Sequence, residues 1–165
     1  MLLLTHPRKL KKFIPMLLTS AIVLGAGACS VDRTSADAPN SVYAPGEVPD
    51  IEDVQETVED AKSDLRQAQI ASDERAREQR AATFGDPLEI DEDNIESLVR
   101  NRLETQLPAS ILAVDADENG LVTISGTVQT INELNAIAPV AMEIPGVQVV
   151  ELNVQVAPAI PEEIE

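Results

Sequence analysis

Between residues 93 and 157 the apolar positions change period in an order that lays out five elements. Ile95, Leu98, Val99, Leu103 and Leu107 recur at helical spacing and stop at Pro108. This predicts a first helix, opened by an Asp93-x-x-Glu96 capping box. Leu112, Val114 and Ala116 then alternate with Asp115 and Asp117, the rhythm of a strand. Asn119-Gly120 supplies the positive φ of a tight hairpin. The next strand, LVTISGTV, puts Val122, Ile124 and Val128 on one face and Thr123, Ser125 and Thr127 on the other. Thr130-x-x-Glu133, a second capping box, opens a helix carrying Ile131, Leu134, Ile137, Ala138 and Ala141. Pro139 removes one backbone hydrogen bond from that helix, so a kink or restart is expected there. Gly146 is placed to close the helix. The last strand, VQVVELNVQV, is expected to bury Val150, Leu152, Val154 and Val156. The predicted fold is α+β: a single small α-β-β-α-β module, with a three-stranded sheet and two helices on one face.

Upstream the patterning is different. Residues 29–49 have no hydrophobic period, are rich in Ser, Ala, Pro and Asp, and are expected to form a flexible tether. Twenty residues of such a chain span roughly 25 Å by random-coil scaling. Residues 50–84 contain neither Pro nor Gly and predict one long polar helix. Ile51, Val54, Val58, Ala61, Leu65 and Ala68 fall at steps of three and four, a thin heptad seam. The seam fits a solvated helix or weak self-association. Gly85-Asp86-Pro87 then begins a linker over 85–92, and 158–165 reads as a disordered tail.

The N-terminus carries an address. Arg8, Lys9, Lys11 and Lys12 precede an apolar stretch from Phe13 to Ala28, shorter than the ~20 residues of a spanning helix. Residues 1–28 therefore read as a signal peptide. Leu24-Gly-Ala-Gly-Ala-Cys29 resembles a lipobox, in which the cysteine is acylated and becomes the first mature residue. Ala26 stands where a lipobox usually has Leu. Ala26-Gly27-Ala28 also suits an ordinary signal peptidase, which would cut the same bond. A membrane partner through lipidated Cys29 is the expectation, with a secreted chain bearing a free N-terminal thiol as the second reading and a retained membrane anchor as the third.

Charge narrows the partners. The chain has a net charge of −17, and residues 1–28 hold four basic and no acidic residues, so cleavage makes it more acidic still. That opposes nucleic-acid binding through phosphates and repels anionic bilayers within a Debye length of about 8–10 Å. Acyl chains on Cys29 would outweigh the repulsion at about 0.8 kcal/mol per buried CH₂.

Candidate chemistry is sparse. The single histidine, His6, lies in the signal peptide and the single cysteine is Cys29. No Ser-His or Cys-His pair, zinc ligand set or phosphate-binding glycine loop can be assembled from the rest. No enzyme, cofactor or metal is therefore expected. Asp115-x-Asp117-x-Asn119-Gly120 matches the start of an EF-hand loop, but its twelfth position is Gly126 where a bidentate Glu belongs. A hairpin turn accounts for the same residues, with weak divalent binding at the acidic tip as the alternative. Gly120, Gly126 and Gly146 are read as structural turn residues.

NGLVTISGTV at 119–128, followed by Pro145-Gly146-Val147 before a Val-rich strand, resembles the BON domain (bacterial OsmY and nodulation domain) over residues 93–157. The resemblance implies an α-β-β-α-β module of the bacterial envelope. It implies a part in envelope integrity or osmotic stress, and a protein or phospholipid partner. With a lipidated Cys29 the expected place is the periplasmic side of a membrane. Ser30 in second position favours the outer membrane under the sorting habit of Gram-negative lipoproteins. A second expectation, from the 51–68 seam, is a structural spacer or oligomer.

Overall fold

The computed structural model describes residues 31–84 and 91–160. The signal peptide with Cys29, the 85–90 part of the linker and residues 161–165 lie outside the described residues. The elements are β1 (Asp32–Arg33), α1 (Ile51–Lys62), α2 (Asp64–Phe84), α3 (Glu92–Gln106), β2 (Ile111–Ala116), β3 (Leu121–Val128), α4 (Ile131–Met142) and β4 (Val149–Val156). The strands form one mixed sheet in the order β1-β2-β3-β4. β1–β2 and β2–β3 are antiparallel, while β3–β4 is parallel across the α4 crossover.

The α+β architecture follows from the strand periodicity. Leu112, Val114, Ala116, Val122, Ile124 and Val128 turn to one face and meet Ile95, Val99 and Leu103 of α3 and Ile137, Val140 and Ala141 of α4. Val150 and Val154 of β4 complete the sheet side of this core. Apolar burial of this kind gives about 25 cal/mol per Å² and is the main term holding the module together.

Helix starts follow capping chemistry. At α4, Thr130 Oγ1 accepts from Glu133 N at 3.2 Å and Glu133 Oε2 accepts from Thr130 N at 2.9 Å. α3 begins earlier than the Asp93 capping box implied. Asp91 is its N-cap, with Oδ1 accepting from Asn94 N at 2.9 Å, because it offers a cap two residues upstream. α4 runs unbroken through Pro139. Pro139 lies on the exposed side, where water can take the Asn135 carbonyl that loses its N–H partner.

Two larger expectations are corrected. Residues 31–49 are no loose tether: they lie against the sheet face opposite the helices. β1 makes a fourth strand, pairing Asp32 with Val114 and Arg33 with Ala113. Thr34 extends the pairing, its N–H donating to Leu112 O and its Oγ1 accepting from Leu112 N, both at 2.9 Å. Ala38 and Val42 are buried, and Thr123, Ser125 and Thr127 of β3 are buried too. The polar face of β3 is thus covered. Ser125 Oγ donates to Ser41 O, and Asn153 Nδ2 to Val42 O, both at 3.3 Å. The tail is also placed as far as Ile160, whose N–H donates to Pro49 O and whose carbonyl accepts from Ile51 N. The bridge Asp50–Ile160 therefore ties the tail to the start of α1.

The single polar helix is also two helices. Ser63 takes an extended conformation between α1 and α2, and its Oγ accepts from Arg66 N at 3.1 Å, starting the second helix. The heptad seam is cut there. Ile51, Leu65 and Ala68 are exposed, and the buried residues are Thr57, Ala61 and Ile70.

Candidate functional site

The described chemistry gathers at both ends of α3. At its N-terminal end, Glu96 does not cap the helix. Its Oε1 accepts from Ala116 N at 3.0 Å, joining α3 to the end of β2. Burial pushes its carboxyl up to about 7, the Ala116 N–H opposes the rise, and Asp115, Asp32 and Asp93 add to it. Burial and the neighbouring Asp117 also raise Asp115. Arg100 on the next turn pairs with Asp32 of β1 at 3.2 Å.

This arrangement fixes a sign. A carboxyl raised on folding contributes stability that is full at acidic pH and fades as pH climbs through about 7. Glu96→Gln keeps an acceptor and removes the charge. It is expected to gain about 1 kcal/mol above neutrality, water at this partly exposed position screening the rest. Urea unfolding at about pH 5 and about pH 8.5 checks this, since an equal gain at both would show that ionisation is not the cause.

At the C-terminal end of α3, Glu104 is 2% exposed. Arg66 of α2 grips it with two bonds, Nε to Oε1 at 2.5 Å and Nη2 to Oε2 at 2.6 Å. Those bonds raise the Arg66 guanidinium further above its ordinary range, against a smaller loss from burial. Arg77 Nη2 donates to Ser97 Oγ at 2.8 Å, giving α2 a second hold on α3. Between them lies a cleft of about 220 Å³, lined by Ile70, Glu74, Leu98, Asn101 and Arg102 among others. The Asn101 carboxamide is buried, and neither Oδ1 nor Nδ2 has a partner among the described residues. The sequence singled out Glu96 only as a capping residue, and neither Glu104 nor Asn101 stood out, because both sit among the polar positions of α3.

The sequence-derived candidates resolve into turns. Asp117 Oδ1 accepts from the backbone N–H of Asn119 and Leu121, both at 2.9 Å, and Oδ2 accepts from Asn119 Nδ2 at 3.2 Å. The Leu121 N–H, followed by the Asn119 side chain, lowers the Asp117 carboxyl. Both oxygens therefore hold the hairpin loop. Asp115 precedes it on β2. Among the described residues no three His, Cys, Asp or Glu side chains are grouped to hold a metal ion. Gly120 takes φ +77°, and a Cβ there would run into Gly146 O. Gly146 does not close α4, which is capped by Glu143. With φ +98° it forms the third position of the Ile144–Val147 turn, after Pro145. Gln148 N donates to Gly120 O at 2.8 Å, so the two turns lock together. Gly126, inside β3, takes φ +126°. Among the described residues no helix is long and apolar enough to cross a membrane.

Residues 91–158 match the family model described as BON domain. No curated protein and no solved structure matches the chain. A BON domain points to a binding module for membranes or phospholipid.

Proposed function

We propose that this chain is a lipid-anchored envelope protein whose BON-like domain is a non-catalytic binding module for a protein or membrane partner, serving envelope integrity or stress. The BON match over residues 91–158 carries the reading. The lipobox-like run ending at Cys29 supports the anchor, and Ser30 favours the periplasmic leaflet of the outer membrane. Residues 93–157 hold nine acidic side chains against Arg100 and Arg102. Anionic headgroups would therefore be reached through divalent cations, or a neutral surface would be preferred.

Two measurements separate the parts of the proposal. Metabolic labelling with a fatty acid should tag the chain and fail on Cys29→Ala; no tag on the wild type sinks the anchor. Flotation of Cys29→Ala with vesicles of phosphatidylethanolamine and phosphatidylglycerol, with and without magnesium, tests the membrane face. Failure to float in either condition removes the lipid partner and leaves a protein partner.

A further inference from the structure

β4 is the last strand of the sheet, eight residues long, and no described strand pairs with its outer side. Val149 and Ala157 turn their N–H groups inward to Gly120 O and Val128 O. By the two-residue period of a strand, the N–H and C=O of Val150, Leu152, Val154 and Val156 point outward. An edge of this length, with Leu152 37% and Val156 40% exposed, is a template for another strand.

α4 adds a second surface beside that edge. It packs mainly on β4 and more lightly on β3. Glu143 pairs with Arg102 at 3.7 Å, so that flank faces α3. At 100° per residue the opposite flank carries Ile131, Asn135, Ala138 and Met142, and it faces the open edge. Ile131 is 58% and Met142 51% exposed. From Leu134 to Ile160 the only charged residues are Glu143 and Glu151, in a chain of net charge −17. Depletion of charge over an exposed apolar strip marks an interface core.

We infer that this surface binds a second copy of the chain, joining β4 to β4 antiparallel about a twofold axis at Asn153. A lone peptide strand would leave Ile131 and Met142 bare, whereas a second copy brings both a strand and a helix. The register follows from side chains. Centred on Asn153, Leu152 meets Val154 and Val150 meets Val156 on the helix face, while Glu151 meets Gln155. Centred on Glu151, two carboxylates would oppose each other. Centred on Leu152, Val156 would meet Gln148 instead of Val150. Strands about 4.8 Å apart, with each α4 axis set back toward β3, put the helices about 10 Å apart, the ordinary packing distance. Strand and flank together bury on the order of 1,000 Å², the lower bound for a specific interface.

The test is disulfide trapping in the detergent-solubilised full chain, with the wild type as background. Asn153 and its symmetry mate form a non-hydrogen-bonded pair with Cα atoms about 4.5 Å apart, within disulfide reach. Asn153→Cys is expected to oxidise to a covalent dimer. Glu151→Cys and Gln155→Cys are each expected to remain monomeric alone and to cross-link when mixed. Met142→Lys in the Asn153→Cys chain should weaken the dimer about tenfold, lowering its yield at limiting concentration without moving the thermal midpoint. An Asn153→Cys yield at the wild-type level, self-linking by Glu151→Cys, or indifference to Met142→Lys overturns the proposal.

Discussion

Gly126→Ala is expected to cost about 4 kcal/mol, combining an unfavourable backbone region with overpacking. Gly126 takes φ +126° inside β3, and an added Cβ would run into Ile111 O and lie 3.1 Å from Leu112 Cα. Both are backbone atoms of the partner strand, so no side chain can swing away. Small domains hold only a thin margin of stability, and such a loss should leave the chain largely unfolded near body temperature. Gly46→Ala is the comparison. Its Cβ would lie 2.6 Å from Gly126 C, across from the covering segment. That segment can lift away, so a smaller loss is expected, with hydrogen exchange rising at Thr34 and at the outer face of β3. Equal destabilisation by the two substitutions would contradict this account.

The contrast shows what was legible in the sequence. α3, β2, β3, α4 and β4 could be read because each buries one face, and burial imposes a period of 3.6 or 2 on the apolar residues. The covering segment imposes none. It fills its place with Thr34, Ala38, Val42 and Gly46, small residues whose fit depends on backbone approach. Its partners are equally quiet: Thr123, Ser125 and Thr127 are polar, and burial under a covering segment leaves no mark on such a strand face. The break at Ser63 had a signal, a serine opening a helix, which the absence of Pro and Gly obscured. Gly120 was recognisable as a turn residue, whereas Gly126, read as another, lies inside β3, and Gly146 makes a turn beyond the helix it was expected to close; the locking of Gly120 against Gly146 joins residues far apart in the chain and needed the fold. For Cys29, the lipobox-like run is the whole of the case, since that residue lies outside the described structure.

The second large effect is expected at the ion pair between α2 and α3. Arg66→Ala strands the carboxylate of Glu104, a buried group that loses its cation and both bonds. Breaking a buried pair by removing one partner costs about 3 kcal/mol. Replacing both residues by Met removes the stranded charge, and the double variant is expected to recover most of the loss. The urea midpoints of wild type, Arg66→Met, Glu104→Met and the double variant form a cycle that checks this. If the double variant is as unstable as Arg66→Met, the pair acts through packing and the electrostatic explanation is wrong. Among the residues of α2 whose burial is described, Ile70 is the buried apolar one, so this pair should decide whether the helix stays docked.

The pairing of Asp32 and Arg33 with Val114 and Ala113 has a consequence for how the protein acquires its shape. Synthesis delivers the N-terminus first. The opening strand must then wait through some eighty residues for a partner, a long loop whose closure is slow relative to local contacts. The hairpin of β2 and β3 closes over four loop residues and needs no such delay. Assembly should therefore begin in the second half of the chain, with residues 31–49 settling onto a sheet already formed. Until they do, Val42 and the backbone of β2's open side remain available to other chains, which makes the interval between emergence and closure the period when this protein most needs a chaperone.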